Sequence, residues 1–96
     1  MVRSLVAESS TQRALAADQV TDWVGSYTEV DGRLLAAILA VTAACETDGT
    51  ALESQLNAII QLGALADRSS VSYLKEIEGS PLPGDLSGYV HDILHE

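Results

Sequence analysis

Two histidines four residues apart, in the run His91-Asp92-Ile93-Leu94-His95, are the residues best spaced for metal chemistry. Positions i and i+4 share a face of a helix, which is how a His-Glu-x-x-His pattern presents two imidazoles to zinc; here Asp92 stands in place of the glutamate. A catalytic zinc also needs a third protein ligand and a positioned base. The chain has no further histidine and no cysteine near this run, which is followed by a single residue. The pair is therefore read as polar residues on the outer face of a terminal helix, where a histidine cation complements the helix dipole. No metal and no other cofactor is expected.

Cys45 is the single cysteine. A nucleophilic thiolate needs a base and an electropositive setting. Its neighbours Ala44 and Glu46 supply neither, so a buried structural thiol is expected. One cysteine builds no disulfide framework, and a reducing, cytoplasmic location is expected. The carboxylate pairs Asp18 with Asp22 and Glu76 with Glu78 are close enough in sequence for acid–base work, but they fall on helix faces read as exposed, where carboxylates are solvated charges. Gly79 and Gly84 flank prolines and serve a turn rather than a phosphate-cradling loop, and no Ser–His–Asp grouping is present. With no candidate for catalysis, the chain is expected not to be an enzyme.

The elements that must carry these side chains are helical. Aliphatic residues and alanine abound in the 96 residues, Phe is absent, and the aromatics are Trp23, Tyr27, Tyr73 and Tyr89, a composition suited to closely packed helices in one domain spanning 1–96. Ser9, Ser10 and Thr11 are available to cap a helix from about Thr11 to Gly25, with Ala16, Ala17, Val20, Trp23 and Val24 on its inner side. Leu15, Asp18 and Asp22 lie opposite. After a turn over Tyr27–Gly32, the almost wholly apolar helix Arg33–Cys45 is expected to be the central element. Thr47-Asp48-Gly49-Thr50 breaks it, and a helix from about Ala51 to Ala66 follows, with Leu52, Leu56, Ile59, Ile60 and Gly63 along one face. A shorter helix runs from Val71 to Ile77, with Val71, Leu74 and Ile77 at spacings of three. Beyond the proline- and glycine-rich stretch Glu78–Gly84, residues Asp85–Leu94 form a clean amphipathic helix. Arg3–Ala7 is read as a short helix covering one end.

The helices repeat at an offset of about 40 residues, placing Ala16 over Leu56 and Val20 over Ile60, then Leu35 over Leu74 and Ile38 over Ile77. On these residues, and most clearly on Ala58-Ile59-Ile60-Gln61-Leu62-Gly63-Ala64-Leu65-Ala66-Asp67 with the following Val71–Ile77, the chain resembles the HEAT repeat family over roughly Thr11 to Ile77. It departs from that family in lacking the usual proline of the first helix. The resemblance implies an all-α fold, a short right-handed stack of about five or six antiparallel helices, with Gly63 allowing close helix approach and Asp67 ending one helix and capping the next. It also implies that protein partners dock on the second helices, which match those starting at Thr11 and Ala51. Outward positions expected there are Leu15, Asp18, Gln19 and Asp22, then Glu53, Gln55, Asn57, Ala58 and Gln61, with Trp23, Tyr27, Tyr73 and Tyr89 as candidate aromatic anchors, of which Trp23 has the character of a core residue.

Charge points to the kind of partner. Fourteen acids against 5 Lys plus Arg leave a net charge of −9, which repels nucleic acid and anionic lipid and attracts a basic protein. Nine of the acids follow Cys45. No signal peptide is expected, because Glu8 interrupts the opening before an apolar stretch develops. Leu34–Cys45 is an uncharged run of 12 residues, short of the roughly 20 that span a bilayer. A small acidic helical chain of this kind resembles the immunity proteins that bacteria pair with toxins. The expectation is a monomer that neutralises a basic toxin, such as a nuclease, by covering its active site. The alternative is a HEAT-like adaptor that scaffolds a protein complex.

Overall fold

Three side-chain caps decide where the helices begin. In the computed structural model, which describes residues 5–63, 71–78, 82 and 86–95, the Ser9 hydroxyl accepts from the Gln12 amide, Thr28 from Asp31 and the Asp48 carboxylate from Ala51. Each satisfies an amide that the first helical turn leaves unpaired and contributes about 1 kcal/mol. The helices they open are α1 (Ser10–Asp22), α2 (Glu29–Cys45) and α3 (Gly49–Leu62), and a fourth, α4, spans Leu86–His95. Short 3-10 segments cover Val24–Ser26 and Ser72–Glu76. The architecture is all-helical, with four α-helices among the described residues where five or six were expected.

The Thr28 cap explains the largest shift in a boundary. Residues 29–32 read as part of a turn because Asp31-Gly32 is a breaker pair, yet Glu29 and Asp31 occupy the first turn of α2, where acids are stabilised by the helix dipole. Gly32 is buried there. At the other end of the chain's middle, α3 ends at Leu62, where Gly63 takes φ +52° and its amide turns back to the carbonyls of Ile59 and Ile60; the expected continuation to Ala66 lies outside the described residues. Among the described residues a Cβ built at Gly63 would meet nothing within 4 Å, so what calls for glycine here is the positive φ of the turn. The expected role of Asp67 lies outside the described residues, as do Arg3 and Ser4 of the expected N-terminal helix.

The element at the centre is α3, not α2: α3 packs against α1, α2 and α4, and α1 lies chiefly on α3. Small residues make this possible, since Ala16, Ala17 and Ala58 are all essentially inaccessible to solvent. Ala58, expected to face outward, is thus a core residue, while Ile60, expected in the buried stripe, is 40% exposed. Helix α2 buries Leu35, Ala36, Leu39, Ala40 and Ala43 but leaves Val30, Leu34 and Val41 exposed, so its apolar composition overstates its burial. Trp23 is 60% exposed rather than core: it is the C-cap of α1, at the margin of the buried stripe, where the chain turns away into the next segment.

The Val71–Ile77 segment keeps its expected inner residues in a different helix type. Val71 and Leu74 are buried and Ile77 half-buried, a spacing of three that suits a 3-10 helix with three residues per turn. This segment packs on α2 and α4. Helix α4 keeps most of its expected apolar stripe of Leu86, Tyr89, Val90, Ile93 and Leu94, burying Leu86, Val90 and Leu94 with Ile93 half-buried, whereas Tyr89 at the stripe's margin is exposed. The proposed repeat fares unevenly: Ala16 and Leu56, and Leu35 and Leu74, are buried at matched positions, whereas Ile60 is half open and a 17-residue helix stands opposite a 5-residue 3-10 segment. No helix among the described residues is long and apolar enough to cross a membrane.

Candidate functional site

Three polar or mixed surfaces bear on function, and the first is internal. Arg13 on α1 meets Glu46, the C-cap of α2, side by side: Nε donates to Oε1 and Nη2 to Oε2, each at 2.7 Å. The Arg13 Nη1 donates to the carbonyls of Ala7 and Glu8, tying down the segment before α1. Glu46 also accepts from the amides of Thr47 and Asp48 and, at 2.8 Å, from Gln55 Nε2 on α3. The Arg13 hydrogen bond foremost, then those from the Asp48 amide and Gln55, hold the Glu46 carboxyl down to about 2, against the opposing effect of burial. The same pairing raises the Arg13 guanidinium above its ordinary value.

This cluster corrects one expected binding residue. Gln55 is fully buried, not outward, because its amide is drawn inward by the Glu46 carboxylate. Its Oε1 is buried without a hydrogen-bond partner among the described residues. The pairing was missed in the sequence because Arg13 and Glu46 lie far apart in the chain and neither belongs to a recognisable pattern. Cys45 is also corrected: it is exposed, at the edge of an open cleft of about 420 Å³ lined by residues including Val6, Arg13, Thr42 and Glu46.

The second surface is the outer side of α1. Asp18, Gln19 and Asp22 are all exposed, as expected, and Leu15 and Trp23 stand beside them at 58% and 60% exposure. Leu15, Gln19 and Trp23 follow one another at intervals of four, which places them along one line of the helix, with the two aspartates on its flank. On α3, Glu53 and Gln61 are exposed and Asn57 half-buried, again at intervals of four. Tyr73 is 53% exposed on the 3-10 segment, which packs on α2 and α4 rather than on α1. The expected binding residues thus divide among an α1 face, an α3 face and a separate 3-10 segment.

The third surface joins two parts of the chain. Glu78, just past the second 3-10 segment, brings Oε2 to 2.5 Å from His95 Nε2 and 4.0 Å from His91 Nδ1 on α4. The two imidazole rings lie with centroids 4.6 Å apart and planes inclined by 35°. All three side chains are exposed. The spacing of the histidine pair makes it legible in the sequence; its carboxylate comes from a separate segment and shares no motif with it.

No family model matches the chain, and neither a curated protein nor a solved structure matches it.

Proposed function

We propose that the protein is a non-catalytic binding module which captures a basic protein partner and, in the manner of an immunity protein, covers the cationic substrate cleft of a cognate toxin. The observation that carries this reading is the exposure of Trp23 and Leu15 next to Asp18 and Asp22 on one helix. Large apolar side chains that become fully desolvated supply most of the energy of a protein interface, while flanking charges steer the encounter and select the partner. A nuclease suits the acidic flank, because a cleft that binds phosphates must itself be basic. The HEAT-like arrangement belongs to the same proposal: it is supported by α1 packing on α3 and α2 on the Ser72–Glu76 segment, the pairings expected between matched helices of adjacent repeats.

The test uses the partner that copurifies from the native cell. The triple change Asp18→Lys, Asp22→Lys and Trp23→Ala should weaken that complex by about 2 kcal/mol or more, roughly 30-fold, with helicity by circular dichroism unchanged. Full affinity would remove α1 from the interface. Coexpression with the neighbouring reading frame tests the immunity role: absence of both a complex and protection from growth arrest would end it.

A second reading, an adaptor that scaffolds a larger assembly, is favoured by the exposed apolar residues of α2, where Val30, Leu34 and Val41 are 69%, 57% and 40% exposed. Docking on that face would depend little on charge. Association slowed by added salt supports the inhibitor, and a salt-independent rate supports the adaptor.

A further inference from the structure

We infer that Glu78, His91 and His95 form a binding site for one divalent transition-metal ion of zinc type, held by two imidazole nitrogens and one carboxylate oxygen. Their candidate ligand atoms all lie within 4.8 Å of one another. Donor atoms around a tetrahedral ion with bonds of about 2.0–2.1 Å stand about 3.4 Å apart. Closing the present arrangement onto an ion therefore takes side-chain movements on the order of 1 Å, which exposed rotamers on a helix surface supply.

An ordinary ion pair accounts for only part of this arrangement. His95 bonded to Glu78 satisfies both groups, yet a second imidazole approaches the same carboxylate oxygen and lies against the first ring. Two imidazolium rings at that separation would repel each other, whereas a metal ion uses both as neutral ligands and the carboxylate as counter-charge. The donor set also selects the ion. Nitrogen donors favour zinc, cobalt, nickel and copper, while magnesium and calcium prefer sites made wholly of oxygen.

Three protein ligands leave at least one coordination position for water or for a donor from a bound partner. The ligands come from two segments, so the ion would pin α4 to the end of the Ser72–Glu76 segment, across the stretch that holds both prolines. On binding, the metal takes the place of the hydrogen between His95 Nε2 and Glu78, and His95 coordinates as the neutral imidazole that carries its proton on Nδ1. This inference is independent of how the protein meets its partner, because none of the three residues belongs to the α1 surface.

The experiment is zinc titration of the 96-residue chain after treatment with a chelator, by calorimetry, with cobalt absorption spectra as a report on the ligand set. One zinc per chain, a higher melting temperature with zinc, and no such rise with magnesium are expected. Glu78→Gln, His91→Ala and His95→Ala should each weaken zinc binding by about tenfold or more, and the double histidine variant should remove the cobalt bands. Asp92→Asn and Cys45→Ser should leave both signals unchanged, which separates this site from general attraction of cations to an acidic protein and from thiol ligation. Circular dichroism confirms that each variant remains helical. Absence of zinc uptake, or zinc uptake that persists in the double histidine variant, would overturn the inference and leave an ordinary histidine–glutamate contact.

Discussion

Glu46 and Glu78 are both glutamates that follow a helical segment and meet partners distant in sequence, but they are used in opposite ways. The Glu46 side chain is 1% exposed and accepts from Arg13 Nε and Nη2, the amides of Thr47 and Asp48, and Gln55 Nε2. Glu78 is 36% exposed and faces two imidazoles. A carboxylate whose lone pairs are filled inside the protein gains hydrogen bonds enough to offset its desolvation, and becomes a joint of the fold. One left partly open to water holds little of the fold together and keeps its capacity for another ligand. The difference lies in coordination and solvent access, not in residue type.

The strongest way to break this comparison is Glu46→Ala. It strips several buried donors of their acceptor and leaves the Arg13 guanidinium without its partner, so a loss of about 3 kcal/mol is expected, read as a lower urea midpoint. A loss near zero would place Glu46 in the same class as Glu78. A comparable effect, spread over pH, comes from acid. The folded Glu46 carboxyl lies at about 2, below its ordinary value of 4.5, so its contribution is fully present above that ordinary value and is lost as pH falls toward 2. Over that window the Glu46→Gln protein should lose less stability than the parent, measured by thermal melts at successive pH. Equal slopes would show that the contacts of Glu46 do not carry the linkage. The smallest effect is expected for His95→Ala without metal, within about 0.5 kcal/mol, because its contact with Glu78 is exposed and screened. A loss comparable with that of Glu46→Ala would make the exposed cluster a structural joint as well.

What could be read in the sequence was what short-range chemistry decides. Ser9 sits among capping candidates at the head of α1, and the apolar spacing of Leu86, Val90 and Leu94 needs only helix geometry to reveal a buried face. The aspartates of α1 were likewise legible as exposed, since nothing in their helix competes for them. Features set by distant partners were not legible. Gln55 has the polarity of a surface residue and is buried because Glu46 lies above it. Trp23 has the character of a core residue and is exposed because α1 ends there. Cys45 and the outer residues of α2 are open because the neighbouring elements cover only one side of that helix. The carboxylate of the histidine cluster depends on how the chain returns after the prolines, which spacing alone does not encode.

The bond from Arg13 to Glu46 also has a consequence for synthesis. The chain emerges from its N-terminus, so Arg13 is made well before the acceptor on which it depends, and Gln55, which completes the joint, comes later still. A fixed Arg13, and with it the docked segment before α1, therefore requires both the end of α2 and Gln55 in the middle of α3 to be in place.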